Sequence, residues 1–407
     1  MARTLSGGDE PSRTGSPTRR FTRFLDPPRL RTLQNDVQDD RRATWLELFF
    51  DLVFVVTVAQ ASYILTDHLS VVHLFAYLGL FVPIWWAWMG FTFYANRFDT
   101  DDLPYRLLIL AAMLALAALA VNVRHALAGS SSGFAVSYIA VRLVLMTLYA
   151  RARRHVPEAR RLTTIFLTMF GGAILVWCAS LLVGAPGRYW IWGGALTLEL
   201  VAPVFAWRAI PQAPIHPRHI PERFGLLTII VLGESVFAVV VGVADVSWHA
   251  ATVVTAVAGF VAAASLWWIY FDFLDESIVQ RNIVAGLTFT YSNYFVIAGI
   301  ALLGTGVKIG ILSTASGSRY DHSGWVIGAG GAICMIGLAI VQLATPPTLF
   351  DLDVCLRLAT AALALVLAFA SNAVSPVVVL ALLGAALLAQ LVYELATHEQ
   401  HHTVASL

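Results

Sequence analysis

The chain has 407 residues, of which 58% are hydrophobic and 13% charged, and its formal net charge is +1. A soluble domain carries about 25% charged residues, so this composition argues against a soluble globular protein, and the near-neutral balance gives nucleic acid nothing to hold. With a mean hydropathy of +0.74, the class implied is an all-α polytopic transmembrane helix bundle whose main partner is the lipid bilayer.

Residues 1–43 are rich in Arg, Ser, Pro and Asp and contain no apolar core of a signal peptide. They read as a disordered or loosely ordered cytoplasmic tail. Apolar runs of spanning length then predict twelve helices at 44–66, 71–95, 104–126, 134–151, 162–184, 188–209, 222–244, 248–272, 282–305, 324–345, 355–372 and 375–396. With the N-terminus inside, 21 Lys and Arg fall in cytoplasmic segments and 4 outside, leaving Arg142 within a span. That asymmetry predicts both termini on the cytoplasmic side of the cell inner membrane. Cys178, Cys334 and Cys355 are too widely spaced for a disulfide framework or a zinc motif and read as packing residues.

The two halves of the chain echo one another. DLVFVV at 51–56 returns as ESVFAVV at 234–240, and IWW at 84–86 returns as LWW at 266–268, at offsets of 183 and 182 residues. Six predicted crossings separate the copies, so the echo implies two parallel six-helix repeats about an axis near the membrane normal. The expected organisation is a tail to 43, a first repeat at 44–209, a cytoplasmic linker at 210–221, a second repeat at 222–397 and a C-terminal tail at 398–407.

Acids inside the spans are the strongest functional candidates, because a lipid-exposed carboxylate at the helix centre costs about 2.5–3.5 kcal/mol on insertion scales. WLELFFDLVFVV puts Glu47 and Asp51 on one helix face at i, i+4. Glu47 lies near the cytoplasmic end, where pairing with Arg41 or Arg42 is the structural alternative. Glu234 falls roughly 18 Å into its span, beside Gly233 and Ser235. Arg142 and Glu199 lie within spans four and six, each available to pair with Asp51 or Glu234. Glu222 and Arg223 read as an ion pair at the membrane surface. Span nine carries Thr288, Thr290, Tyr291, Ser292 and Asn293, which suit either a hydrated pathway or interhelical hydrogen bonds. The matched Trp85, Trp86, Trp88, Trp267 and Trp268 read equally as interfacial belt or shared packing.

Two acid clusters end spans two and eight: Asp99, Asp101 and Asp102, then Asp272, Asp275 and Glu276. Solvated loop charge and a cation vestibule are the two readings. HEQHH at 398–402 matches the H-E-x-x-H zinc pattern, but it sits within the last ten residues with no third ligand to follow, so a polar tail is expected there. His216 and His219 read as a loop pair of little weight. No phosphate loop, nucleotide fingerprint or Ser-His-Asp pattern occurs, so neither an enzyme nor a cofactor is expected.

Four blocks, WLELFFDLVFVVTVAQ, WWAWMGFTFYANRFDTDDLPYR, HIPERFGLLTIIVLGESV and LWWIYFDF, closely resemble the bacterial low-temperature-requirement A (LtrA) family over about 44–305. The resemblance implies a polytopic inner-membrane protein linked to growth in the cold, and it brings no reaction with it. Its blocks single out Glu47, Asp51, Asn96, Arg97, Asp99, Asp101, Asp102, Arg106, Glu222, Arg223 and Glu234. One departure is Ser292-Asn293, where a His is expected in the family. Glu47, Phe49, Asp51, Val53 and Phe54 also look like the first-helix motif of the lysosomal-type potassium channels. Phe50 and Trp45 replace that motif's Ser and Arg, which would remove the intersubunit polar network of those channels.

The function expected is therefore a proton- or cation-handling transporter or channel, with Asp51 and Glu234 facing one another between the two halves. The alternative is a non-transport sensor or scaffold for cold or stress adaptation, in which the acids only pair helices.

Overall fold

The computed structural model describes residues 27–31, 44–129, 131–216, 219–244, 249–273, 282–316, 323–343 and 352–405. Among them the apolar runs form twelve helices: α1 (Trp45–Asp67), α2 (Val71–Arg97), α3 (Leu103–Val123), α4 (Ser131–His155), α5 (Arg160–Ser180), α6 (Gly187–Phe205), α7 (His219–Ala244), α8 (Ala250–Phe273), α9 (Ile283–Ser316), α10 (Gly324–Leu343), α11 (Leu352–Ala370) and α12 (Pro376–Ala405). Eleven of the twelve are long and apolar enough to cross a bilayer. The remaining one, α6, has 19 residues that include Arg188 and Glu199. The molecule is an all-α polytopic bundle, as the composition implies.

Helix α1 shows why the bundle is built for lipid. Thr44 caps it: its hydroxyl accepts from the Glu47 amide at 3.3 Å, and the Glu47 carboxylate accepts from the Thr44 amide at 2.8 Å. This reciprocal capping box satisfies two amides that a helix start leaves without partners. Trp45, Phe49, Leu52 and Val56 recur at helical spacing on the exposed face. Glu47, Phe50, Asp51, Phe54 and Val58 are buried on the other. Apolar outside and carboxylate inside is the distribution a membrane helix needs.

The most buried helix is α9, which α7 and α10 flank. Its tyrosines tie it to the first six helices: the Tyr294 hydroxyl donates to the Leu78 carbonyl at 2.6 Å, and the Tyr291 hydroxyl to the Leu200 carbonyl at 2.6 Å. Tyr77 of α2 donates in the other direction, to Ala298 of α9, at 3.4 Å. At the other end of α1, Asp67 accepts two hydrogen bonds from Arg124, at 2.7 and 2.9 Å, which ties α1 to the end of α3.

Several boundaries differ from expectation. Helix α9 runs on to Ser316, well past 305, because Leu303, Val307 and Ile311 still find buried neighbours. The segment expected at 188–209 ends its helix at Phe205, after Pro203, and continues through a 3-10 turn at Ile210–Gln212. Within the expected tail, Arg29–Leu30 forms a strand, β1, antiparallel to β2 at Phe98–Asp99. The backbone of α12 continues to Ala405, through the HEQHH segment.

Candidate functional site

The acids of α1 meet the first turns of α7. Asp51 is fully buried, and its Oδ1 accepts from Arg223 Nη2 at 2.7 Å and from Trp88 Nε1 of α2 at 2.7 Å. The same guanidinium lies 3.8 Å from Glu47 Oε2, while His219 Nε2 lies 4.0 Å from Glu47 Oε1. On the far side of its ring, His219 Nδ1 is 3.4 Å from Glu222. Helical spacing produces this arrangement. Glu47 and Asp51 are four residues apart on α1, and His219 and Arg223 are four apart on α7, so each helix presents two groups on one face. Trp88 supplies the third wall, its ring edge-on to Phe224 at 5.1 Å.

This is not the pairing expected. Arg223 does not partner Glu222, because neighbours in sequence point about 100° apart on a helix and cannot face one another. His219 is no loop residue but sits in the first turn of α7. Arg41 and Arg42 lie outside the described residues, and Glu47 instead has Arg223 and His219. Among the described residues, Asp51 Oδ2 has no hydrogen-bond partner. That leaves one buried carboxylate oxygen free beside two satisfied contacts on its twin.

Glu234 is not part of this cluster. It lies eleven residues beyond Arg223 on α7, roughly 16 Å along the axis, half-buried, with the Lys308 ammonium of α9 as the charge that acts on it. Lys308 itself sits over the Tyr63 ring of α1 at 4.8 Å. Asp51 and Glu234 therefore do not face one another.

A second buried pair stands apart from the first. Arg142 of α4 and Glu199 of α6 approach to 2.8 Å with 1% and 0% side-chain exposure. Tyr138 donates to the same Glu199 oxygen at 2.7 Å, and the Phe170 ring stacks 4.4 Å from the Arg142 guanidinium carbon. Arg142 and Glu199 thus partner each other rather than Asp51 or Glu234.

The acid cluster after α2 is resolved into separate pairs. Asp101 accepts two hydrogen bonds from Arg106, both at 2.8 Å, at the exposed surface. Asp102 is buried, caps α3 by accepting from the Tyr105 amide at 3.1 Å and binds Arg151 through both oxygens. Asp99 lies 4.0 Å from Arg31. Asp272 accepts from Trp268 Nε1. Asp275 and Glu276 lie outside the described residues. Asn293 links α8 to α9, accepting from the Tyr270 hydroxyl at 3.1 Å and donating to the Phe289 carbonyl at 2.8 Å. Asn96 brackets His216, accepting from its amide at 2.6 Å and donating to its carbonyl at 3.1 Å.

The tryptophans divide by half. Trp85, Trp86 and Trp88 are buried, whereas Trp267 and Trp268 are exposed, so their matched positions do not carry one role. Of the cysteines only Cys334 is buried; Cys178 and Cys355 are exposed. Among the described residues, no three His, Cys, Asp or Glu side chains converge as metal ligands would.

Residues 42–394 match the family described as bacterial low temperature requirement A protein (LtrA). An uncharacterized protein of Rhizobium meliloti (strain 1021) is 28% identical over 305 residues, which span 67% of this chain and 71% of that protein.

Proposed function

The chain belongs to the bacterial low temperature requirement A family, and from that premise we propose that it is a proton- or cation-handling transporter of the inner membrane, with both termini cytoplasmic. The observation that carries this reading is the sharing of one buried guanidinium, Arg223, between two carboxylates of α1. Around that point stand Glu47, Asp51 and Glu222 as acids, and Arg223 with Arg31 as fixed cations whose charges reach His219.

The mechanism that fits is a latch. While Asp51 and Glu47 are charged, Arg223 holds α7 against α1. A proton taken up at the free Asp51 Oδ2 weakens the attraction for Arg223, because a neutral carboxyl no longer compensates a buried guanidinium. His219, whose ring stands between Glu47 and Glu222, is the group through which that proton exchanges with the end of the bundle. Helices α1 and α7 then separate on protonation and close again on release, which couples proton movement to opening between the two sets of six helices.

The test is proton flux in proteoliposomes carrying an internal pH dye. Wild-type protein is expected to dissipate an imposed pH gradient, and Asp51→Asn to slow this at least tenfold while keeping its helical content. Equal flux from wild type, Asp51→Asn and Glu47→Gln would remove the latch from the mechanism.

A sensor or scaffold in cold adaptation is the second reading, favoured by the pairing of the acids at Asp51–Arg223 and Glu199–Arg142. It predicts no flux from wild type under any gradient, with the same variants losing only thermal stability.

A further inference from the structure

Where α2 ends and α9 begins, the bundle holds a cavity of about 270 Å³. Its walls are largely apolar, with the rings of Trp86, Phe166, Phe170 and Tyr291 among them, yet two guanidiniums open onto it: Arg97 and Arg142. Both are buried, at 4% and 1% exposure.

Their charges are unequally met. Arg142 has Glu199 2.8 Å from its Nη2 as an ion pair, yet among the described residues none of its three guanidinium nitrogens makes a hydrogen bond. The Nη1 group reaches the cavity past Gly90, where a β-carbon would stand 3.1 Å from it. Arg97 donates from Nε to the Ala213 carbonyl at 3.3 Å and lies beside the rings of Phe93 and Phe166 and the Tyr149 hydroxyl. Among the described residues no carboxylate pairs with it. The first turn of α9 also lines the cavity, through Asn282, Ile283 and Gly286, and a helix N-terminus favours negative charge.

Counting charges, Arg142 and Glu199 cancel and Arg97 remains, so the cavity carries one net positive charge inside an apolar chamber. The geometry points to a binding site for a monoanionic amphiphile, a carboxylate with an apolar body, its head between Arg97 and Arg142 and its body against the aromatic walls. The volume is nearly twice that of an engineered cavity of about 150 Å³ that takes up benzene, which sets the ligand at roughly ten to fourteen heavy atoms. Neither Glu47 nor Asp51 lines this cavity, so the site stands or falls independently of the latch.

Binding of radiolabelled decanoate to the full-length protein in zwitterionic nanodiscs tests it. Saturable binding is expected, weakened at least tenfold by Arg97→Gln, the change that follows from losing one charge-assisted hydrogen bond. Leu287→Trp, which fills the chamber and leaves both arginines in place, is expected to abolish binding without lowering the melting temperature. Decanol, with the same body and no charge, is expected to compete at least tenfold less well than decanoate. A second arm uses the water-soluble 3-phenylpropionate as competitor: stronger displacement by it than by unlabelled decanoate assigns the ligand to the aqueous phase, and the reverse assigns it to the bilayer. No saturable binding in the wild type, equal affinity in both variants, or equal competition by decanol would overturn the proposal.

Discussion

Asp51 and Arg223 are both withdrawn from water, so each charge depends on the other. Removing one partner of such a pair leaves an uncompensated buried charge and costs about 3–5 kcal/mol. Asp51→Ala is expected to destabilise the protein by about that amount, measured by thermal unfolding in detergent. Asp51→Leu combined with Arg223→Met is expected to lose clearly less than the two single changes added together, since the double variant removes both charges of that pair and leaves only Glu47 with a lost contact. Strict additivity would show that the two groups are not energetically coupled. These partners were half legible in the sequence. The i, i+4 spacing of Glu47 and Asp51 placed them on one face, and Thr44-x-x-Glu47 is a capping-box pattern that fixes where α1 begins. The i, i+4 spacing of His219 and Arg223 carries the complementary signal, but it is obscured by Glu222, whose adjacency in sequence imitates an ion pair that helix geometry forbids.

Helix packing at the centre depends on absent side chains. A β-carbon on Gly299 of α9 would stand 2.5 Å from the Cys334 amide nitrogen, and one on Gly330 of α10 would stand 2.6 Å from the Leu303 amide nitrogen. Those obstacles are backbone, which has no rotamer to yield, so the two helices meet closely through these glycines, with Gly306 against Ile327 and Gly337 against Val296 extending the contact. Gly299→Val is expected to cost about 1–3 kcal/mol or more by overpacking, seen as a lower melting temperature. Gly193 of α6 is the control, because nothing lies within 4 Å of its added β-carbon. Gly193→Ala is expected to leave the melting temperature unchanged or raise it, through the better helix propensity of Ala. If both substitutions behave alike, close packing of α9 on α10 is not what Gly299 provides. Helix positions were legible from apolar runs alone, whereas the burial of α9 was not. A membrane span is apolar all round, so hydropathy gives its existence and says little about which neighbours cover it.

In the whole molecule, each set of six helices packs largely in chain order. Helix α1 packs on α2 and α3, then α3 on α4, α4 on α5 and α5 on α6; α7 packs on α8 and α9, then α9 on α10, α10 on α11 and α11 on α12. The correspondence is partial: α10 packs on α12 and α8 on α9, whereas their counterparts α4 with α6 and α2 with α3 do not pack in this way. Helix α8 packs along α12, whereas α2 and α6, their counterparts, stand apart with the arginine-lined cavity between them. The halves join mainly where α1 and α2 meet α7 and α9, which puts Asp51–Arg223 and the tyrosines of α9 at the seam. If each set of six helices is a folding unit, a break in the chain between residues 216 and 217 should be tolerated, because it falls after the last element of one set and before the first helix of the other. Fragments 1–216 and 217–407, co-expressed with a tag on one, are expected to co-purify from membranes. Asp51→Leu in the first fragment is expected to reduce recovery of the second several-fold, since in separate chains the cost of the orphaned Arg223 is borne by association alone. Recovery of each fragment inserted and helical but never together would mean that the seam is too weak to define the assembly. Recovery unchanged by Asp51→Leu would move the weight of the seam onto α9.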